Sequence, residues 1–152
     1  MSNTQNQRTA YGEELVALGK ENKDVVVLEA DLGKSTMSNM FQAVFPERYF
    51  EMGIAEQNML STAAGLALSG KIVFANSFAV FVSGRAYDQI RQTISIGKLN
   101  VKICGSSAGF SDFGDGSTHQ AVEDVAVMSA IPNMTVFTPC DAEETRHVAI
   151  AT

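Results

Sequence analysis

The sequence has little positive charge, few cysteines and no long apolar run. It contains 11 Lys and Arg against 17 Asp and Glu, a formal net charge of −6. That balance argues against a nucleic acid or anionic membrane partner, because neither would find a basic surface. No apolar run approaches the roughly 18 residues that span a bilayer. The two cysteines, Cys104 and Cys140, form no disulfide framework and predict reduced thiols in a cytoplasmic protein.

The chain is long enough for one domain with a substantial core. It has 152 residues, of which 45% are hydrophobic. Residues 1–8 are polar, lack the apolar stretch of a secretion signal, and predict a flexible tail before a single domain at 9–152. No helix-ending residue follows the apparent helix that starts at Ala142, so we expect a piece of a longer protein.

Apolar segments typical of strands alternate with helical segments. The predicted strands are 24–32, 48–53, 71–78, 100–105 and 134–139. The predicted helices are 9–21, 35–44, 55–69, 81–97, 118–130 and one from 142. This order predicts an α/β fold, a three-layer sandwich with a mostly parallel central sheet and helices on both faces. Binding sites in such sheets form in the loops at the carboxyl ends of the strands.

Glu56, in "FEMGIAEQNM", lies where a predicted strand hands over to a predicted apolar helix. A carboxylate in the first turn of a helix is stabilised by the dipole, by about 0.3–1 kcal/mol, which is explanation enough for a single Glu. The functional alternative is a desolvated carboxylate that shares a proton with a ring nitrogen. Position alone leaves both explanations open.

Aromatic and titratable residues fall in two other predicted strand-end segments. Phe78 and Phe81 are three apart, which suits a core position or a stacking surface for a flat heterocycle. In "GFSDFGDGSTHQAVED", Asp115 and His119 are four apart and either hydrogen-bond their own loop or contact a polar substrate. Ser117 or Thr118 is expected to cap the helix that follows.

Four segments in order carry a family resemblance. They are "RYFEMGIAEQNMLSTAAGLA", "FANSFAVFVSGRAYDQIRQ", "GDGSTHQAVED" and "IPNMTVFTPCDAEET". They resemble the pyrimidine-binding domain of transketolases and their relatives, in particular the separately encoded C-terminal transketolase subunit of some prokaryotes. The similarity covers nearly all of the chain after residue 8.

The resemblance implies a thiamine diphosphate site and a catalytic role for Glu56. In that family the matching Glu hydrogen-bonds N1′ of the aminopyrimidine, and the proton shared there activates the cofactor. Phe81 matches the aromatic residue that stacks on the aminopyrimidine, and Phe78 matches its pocket neighbour. Asp31 falls in a loop that borders the cofactor.

The resemblance also implies residues for a sugar phosphate. Asp115 and His119 match residues that hold the sugar hydroxyls, and His119 is a second candidate catalytic residue. Ser35 falls near a contact to the donor phosphate. The implied reaction transfers a two-carbon ketol unit from a ketose phosphate to an aldose phosphate.

Three positions depart from the family pattern. Ser107 stands where a further His is usual, Thr138 where an Arg binds the sugar phosphate, and Gly84 where a third pocket aromatic is expected. Thr138 and "RAYDQ" lean towards the deoxyxylulose-phosphate synthase branch, which is one alternative. The β subunit of a 2-oxo-acid dehydrogenase and a non-catalytic interaction domain that kept the fold are the others.

The resemblance further implies partners. "GDG" at 114–116 begins like the diphosphate and metal motif of thiamine enzymes, but the paired asparagines that end that motif are absent. We therefore expect no metal ligand in this chain, and Mg²⁺ or Ca²⁺ to be held with the diphosphate by a partner domain. The expected assembly is a homodimer that also binds an N-terminal diphosphate-binding subunit, and the isolated chain is expected to be inactive.

Overall fold

A computed structural model describes residues 5–152. Its strands are β1 Val25–Glu29, β2 Tyr49–Glu51, β3 Ile72–Phe78 and β4 Val101–Ser106. Its helices are α1 Gln7–Glu21, α2 Gly33–Thr36, α3 Asn39–Val44, α4 Glu56–Leu68, α5 Ala79–Arg85, α6 Tyr87–Gln89, α7 Asp124–Ser129 and α8 Ala142–Ala151. A π-helical turn, Ile90–Ser95, continues α6, and short 3₁₀ turns lie at Pro46–Arg48 and Gly116–Thr118.

The four strands form one parallel sheet in the order β2-β1-β3-β4. Val27 pairs with Tyr49 on one side of β1 and with Phe74 on the other. The chain therefore moves outward from β1 to β2, then crosses back to place β3 on the opposite side of β1. Such a reversal leaves a crevice between the carboxyl ends of the two central strands, where open α/β sheets bind ligands.

Each face of the sheet has its own apolar core. On one face Val26, Leu28 and Val73 pack against Met59 and Leu60 of α4. The other face is covered by α1, α3 and α8, through the side chains Tyr11, Leu15, Phe41 and Ala149. All five residues of β1 are buried, as expected for a strand covered on both sides. The predicted three-layer α/β fold with a parallel sheet is confirmed.

The predicted strand at 134–139 is wrong. Burial does alternate along this segment, since Met134 and Val136 are partly buried while Thr135 and Phe137 are exposed. Among the described residues, however, no strand pairs with it, and β4 remains at the edge of the sheet. Alternating burial gives the side-chain pattern of a strand, but a strand also needs a backbone partner.

Several predicted helices are shorter or broken. The helix at 35–44 is interrupted at Met37, whose φ of 65° is left-handed and closes α2. The helix at 118–130 shrinks to α7, which has Glu123 at its N-cap, so the expected cap at Ser117 or Thr118 is also wrong. Helix α1 begins at Gln7, and the part of the predicted tail at 1–4 lies outside the described residues. Across residues 5–152, no helix has the length and hydrophobicity that a membrane span requires.

Candidate functional site

Glu56 is the first residue of α4 and is almost completely buried, with 1% of its surface exposed. The Nη1 atom of Arg85, at the end of α5, donates to both carboxylate oxygens of Glu56, at 2.8 and 2.7 Å. The Arg85 side chain is 44% exposed. A buried carboxylate is thus neutralised by a cation that reaches water, and it also lies in the positive field of a helix N-terminus.

Three rings lie beside this ion pair. The rings of Phe78 and Phe81 are nearly parallel, with centroids 6.1 Å apart and planes 15° apart. The His119 ring meets Phe81 edge-on at 5.2 Å, and the guanidinium carbon of Arg85 lies 4.8 Å from the Phe81 centroid. Arg85 therefore contacts both the carboxylate and the aromatic group. These contacts bring together Glu56, which follows β2, Phe78 at the end of β3, and His119, which follows β4.

The loop after β1 lines an open cavity of about 590 Å³. Asp31 and Ser35 form part of its wall, together with Tyr49 and Glu51 of β2. One oxygen of Glu51 accepts hydrogen bonds from the backbone N–H of Asp31, at 2.8 Å, and of Gly53, at 3.1 Å. Glu51 thereby ties the loop after β1 to the loop that leads into Glu56.

A second carboxylate, Glu29, is fully buried at the carboxyl end of β1, just before the loop that lines this cavity. Its Oε2 accepts from the hydroxyls of Thr36 and Ser38, each at 2.6 Å, and its Oε1 accepts from Ala30 N–H at 2.9 Å. Burial raises the pKa of Glu29 above its usual value, against the opposing effect of these hydrogen bonds.

The structure brings together most of the residues expected from the sequence. Glu56, Phe78, Phe81 and His119 form one group, in which Arg85 links Glu56 to Phe81, and Asp31 and Ser35 line one cavity. Asp115 is exposed just before the 3₁₀ turn, and its side chain has no hydrogen bond or ion pair within residues 5–152. His119 Nδ1 is 2.9 Å from the hydroxyl oxygen of its neighbour Thr118.

Two arginines of the site were missed from the sequence. Arg85 lies four residues after Phe81, which places the two side chains on one helical face. A buried Glu56 also needs a cation nearby, so the sequence could have predicted Arg85 as its partner. Arg8, in the first turn of α1, donates through Nη1 to the Ser35 carbonyl at 3.3 Å. No sequence pattern connects two residues that only the tertiary fold brings together.

Comparison with known proteins gives a family. Residues 3–152 match the family model described as transketolase, pyrimidine binding domain. A protein described as a transketolase C-terminal section from Methanocaldococcus jannaschii is 53% identical over 141 residues, which are 93% of this chain and 45% of that protein. A 6-deoxy-6-sulfo-D-fructose transketolase subunit from Clostridium sp. (strain MSTE9) is 39% identical and aligns with 91% of this chain and 43% of its own length.

Solved structures agree with the sequence comparison. A split-gene transketolase, described as an inactive beta4 tetramer, superposes with a TM-score of 0.85 at 52% identity, over 98% of this chain and 48% of that one. Transketolase from Leishmania mexicana gives a TM-score of 0.86 at 29% identity, over 97% and 24%. The chain spans less than half the length of these relatives.

This chain belongs to the transketolase pyrimidine-binding domain family. Transketolases depend on thiamine diphosphate. The resemblance noted in the sequence is confirmed, and a buried carboxylate beside two nearly parallel aromatic rings fits the aminopyrimidine end of that cofactor.

Proposed function

We propose that this chain supplies the aminopyrimidine half of a thiamine diphosphate site in a two-subunit transketolase. The observation that carries the proposal is the position of Glu56, buried at a helix N-terminus and joined through Arg85 to the Phe78–Phe81 pair. A side chain that only stabilised the helix dipole would gain nothing from burial next to a stack of rings.

Glu56 holds and moves the proton at the ring nitrogen N1′. Arg85 donates to it through a single nitrogen, so each carboxylate oxygen keeps a lone pair for another partner. Phe81, backed by the buried Phe78 ring, offers a flat apolar surface that orients the ring and excludes water from the carboxylate. When bound, the cofactor supplies the carbon nucleophile for transfer of the two-carbon unit.

The donor sugar is placed in the open cavity beside this pocket. His119 faces Phe81, and Asp115 lies in the same loop, so both are assigned to sugar hydroxyls next to the aromatic group. Asp31 and Ser35 line the cavity, and the guanidinium of Arg8 approaches Ser35 from α1. Lys34 in the cavity wall and Arg8 beside Ser35 are the cations available to a donor phosphate in a chain that has Thr138 where its family relatives use Arg.

A partner subunit covers this edge of the domain. Large apolar side chains are exposed in the loops around the site, with 74% of Ile54, 73% of Phe110 and 88% of Phe113 accessible. We assign the cofactor diphosphate and its Mg²⁺ or Ca²⁺ to an N-terminal diphosphate-binding subunit, bound to a homodimer of this chain. The related split-gene structure described as an inactive beta4 tetramer supports a need for that second subunit.

Reconstitution tests this function. The chain is titrated into the N-terminal transketolase subunit of its source organism with thiamine diphosphate and Mg²⁺, and ketol transfer from a ketose phosphate to an aldose phosphate is measured. We expect neither component to be active alone and activity to saturate at an equal molar ratio. A stable complex that transfers nothing would contradict the proposal and favour a non-catalytic interaction domain.

A change of donor tests the alternative chemistry. Thr138 and "RAYDQ" resemble deoxyxylulose-phosphate synthase, which takes pyruvate. The family relatives described above are named as transketolases, one of them for a sulfonated sugar, and this supports the ketose donor. The same complex is therefore assayed with pyruvate, with a ketose phosphate and with 6-deoxy-6-sulfo-D-fructose. Turnover with pyruvate and with neither of the two sugar donors would overturn the transketolase assignment.

A further inference from the structure

Glu29 is a fully buried carboxylate without a cationic partner among the described residues. Its oxygens are satisfied by two hydroxyls and one backbone N–H. A buried charge held only by neutral donors is costly, since an apolar side chain of the same size would fill the space without desolvation. Packing alone therefore does not account for a carboxylate at position 29.

Its two hydroxyl partners follow directly on the cavity loop. Thr36 ends α2, and Ser38 comes one residue after Met37, where the chain turns through a left-handed conformation. Ser38 Oγ also lies 3.2 Å from the Tyr49 hydroxyl on β2. Tyr49 and Ser35 both line the cavity, so the Glu29 hydrogen-bond network reaches the cavity wall through Ser38 and Tyr49 as well as through Thr36, the neighbour of Ser35.

The other end of the same loop is held separately. The Asp31 N–H donates to Glu51 at 2.8 Å, and Asp31 has a left-handed φ of 62°. Ser35 lies between these two anchors, next to Thr36. Loss of Glu29 therefore frees the Ser35 end of the loop, while Glu51 continues to hold the Asp31 end near the cofactor pocket.

We propose that Glu29 is a positioning residue for the donor's anionic group, acting through Thr36 and Ser38 on the loop that carries Ser35. The inference rests on the proposed function, in which the phosphate of the donor sugar enters this cavity. It assigns a reason for the buried carboxylate: two short, charge-assisted hydrogen bonds fix a turn that apolar packing would leave loose.

Hydrogen exchange on the full chain tests the first step. The N–H groups of Ser35 and Thr36 donate to the Leu32 carbonyl, at 2.7 and 2.9 Å. In Glu29→Leu we expect both amides to exchange about ten-fold faster, while Val73 and Ala75 in β3 keep their protection. Glu29→Gln retains one carboxamide oxygen for the hydroxyls and should restore much of the protection. Unchanged exchange at Ser35 and Thr36, or an equal rise in β3, would overturn the proposal.

Kinetics of the reconstituted complex test the second step. Two donors are compared: a ketose phosphate, and 3-hydroxypyruvate, which delivers the same two-carbon unit without a phosphate. We expect Glu29→Leu and the double variant Thr36→Val/Ser38→Ala to raise KM for the ketose phosphate by about ten-fold. KM for 3-hydroxypyruvate and kcat with either donor should stay near wild type. Equal changes for the two donors would contradict a role in anion positioning.

A matched control separates positioning from stability. Ser95 has a buried hydroxyl in the π-helical turn that donates to the Pro132 carbonyl, away from the cavity. Ser95→Ala should lower the melting temperature and leave both KM values unchanged. If Glu29→Leu does not fold, the hydroxyl variants and Glu29→Gln carry the comparison. If the wild-type complex is inactive with both donors, the proposed function fails, and the exchange experiment still decides whether Glu29 holds the loop.

Discussion

The Arg85 guanidinium joins the buried Glu56 carboxylate to the Phe81 ring, through contacts of 2.7 Å to an oxygen and 4.8 Å to the ring centroid. The two members of the ion pair have very different environments. Glu56 has 1% of its side chain exposed, whereas Arg85 has 44% exposed. Removing one partner therefore does not have the same consequence as removing the other.

We predict that Arg85→Met destabilises the chain more than Glu56→Gln does. The first change leaves a buried carboxylate without its cation and should cost about 3 kcal/mol. The second leaves a guanidinium that can turn to water, and should cost about 1 kcal/mol. Urea unfolding of the two variants and of the double variant measures the difference. Equal losses would mean that the ion pair is exposed in solution.

The raised pKa of Glu29 predicts a pH dependence of stability. A carboxyl group whose pKa is higher in the folded than in the unfolded chain favours folding when protonated, and this contribution is lost as pH rises through the folded value. Wild type should therefore lose stability relative to Glu29→Gln as pH increases upward from the ordinary value of 4.5. Urea unfolding of both proteins between pH 4 and about pH 8 gives the comparison, within the usual range of carboxyl titration. A difference that stays constant with pH would show that burial does not perturb this group.

Glu51 predicts a coupled response of two loops. Because one of its oxygens accepts from both Asp31 N–H and Gly53 N–H, Glu51→Ala should speed hydrogen exchange at both amides together, by about ten-fold. Glu47→Ala is the control, since within residues 5–152 the one ion pair of Glu47 is to its neighbour Arg48 in the nearby 3₁₀ turn. A response at one amide alone would show that the two loops are anchored independently.

The cysteines should differ sharply in reactivity. Burial raises the pKa of Cys104 to about 11. At pH 8 only about one Cys104 thiol in a thousand is then ionised. Cys140 is exposed, and the carboxylate of Glu144 raises its pKa to a lesser degree. Iodoacetamide at pH 8 should modify Cys140 in the folded chain, and Cys104 only after unfolding in urea. Cys104 is partly buried, and its modification without denaturant would contradict the raised pKa of its thiol.

The four observed strands were predictable because each has a local pattern. Three consecutive valines in β1 mark a strand buried on both faces, and the segments around Tyr49, Phe74 and Ile103 are short apolar runs bounded by polar or glycine residues. The segment at 134–139 has the same pattern and still forms no strand, because pairing depends on what lies beside it. Local sequence does not contain that information.

The candidate site was predictable in its residues and less so in its contacts. Strand ends and the family motifs pointed to Glu56, Phe78, Phe81 and His119, which lie together. The contact of Arg8 with Ser35 joins residues 27 positions apart. The hydrogen bond from Ser38 to Glu29 forms because the chain turns through a left-handed conformation at Met37. Both contacts depend on the tertiary fold, so no sequence spacing predicts either of them.

The central claim is that Glu56 exchanges a proton with the cofactor ring, and Glu56→Gln tests it most directly. Gln keeps the size of the side chain and a hydrogen-bonding oxygen, but it cannot take up a proton. In the reconstituted complex we expect kcat to fall by about 10²-fold or more, with the chain still folded and still bound to its partner subunit. Glu13→Gln, which breaks the ion pair with Arg146 between α1 and α8, is the matched control and should keep full activity. A Glu56→Gln complex with near-wild-type turnover would contradict the account.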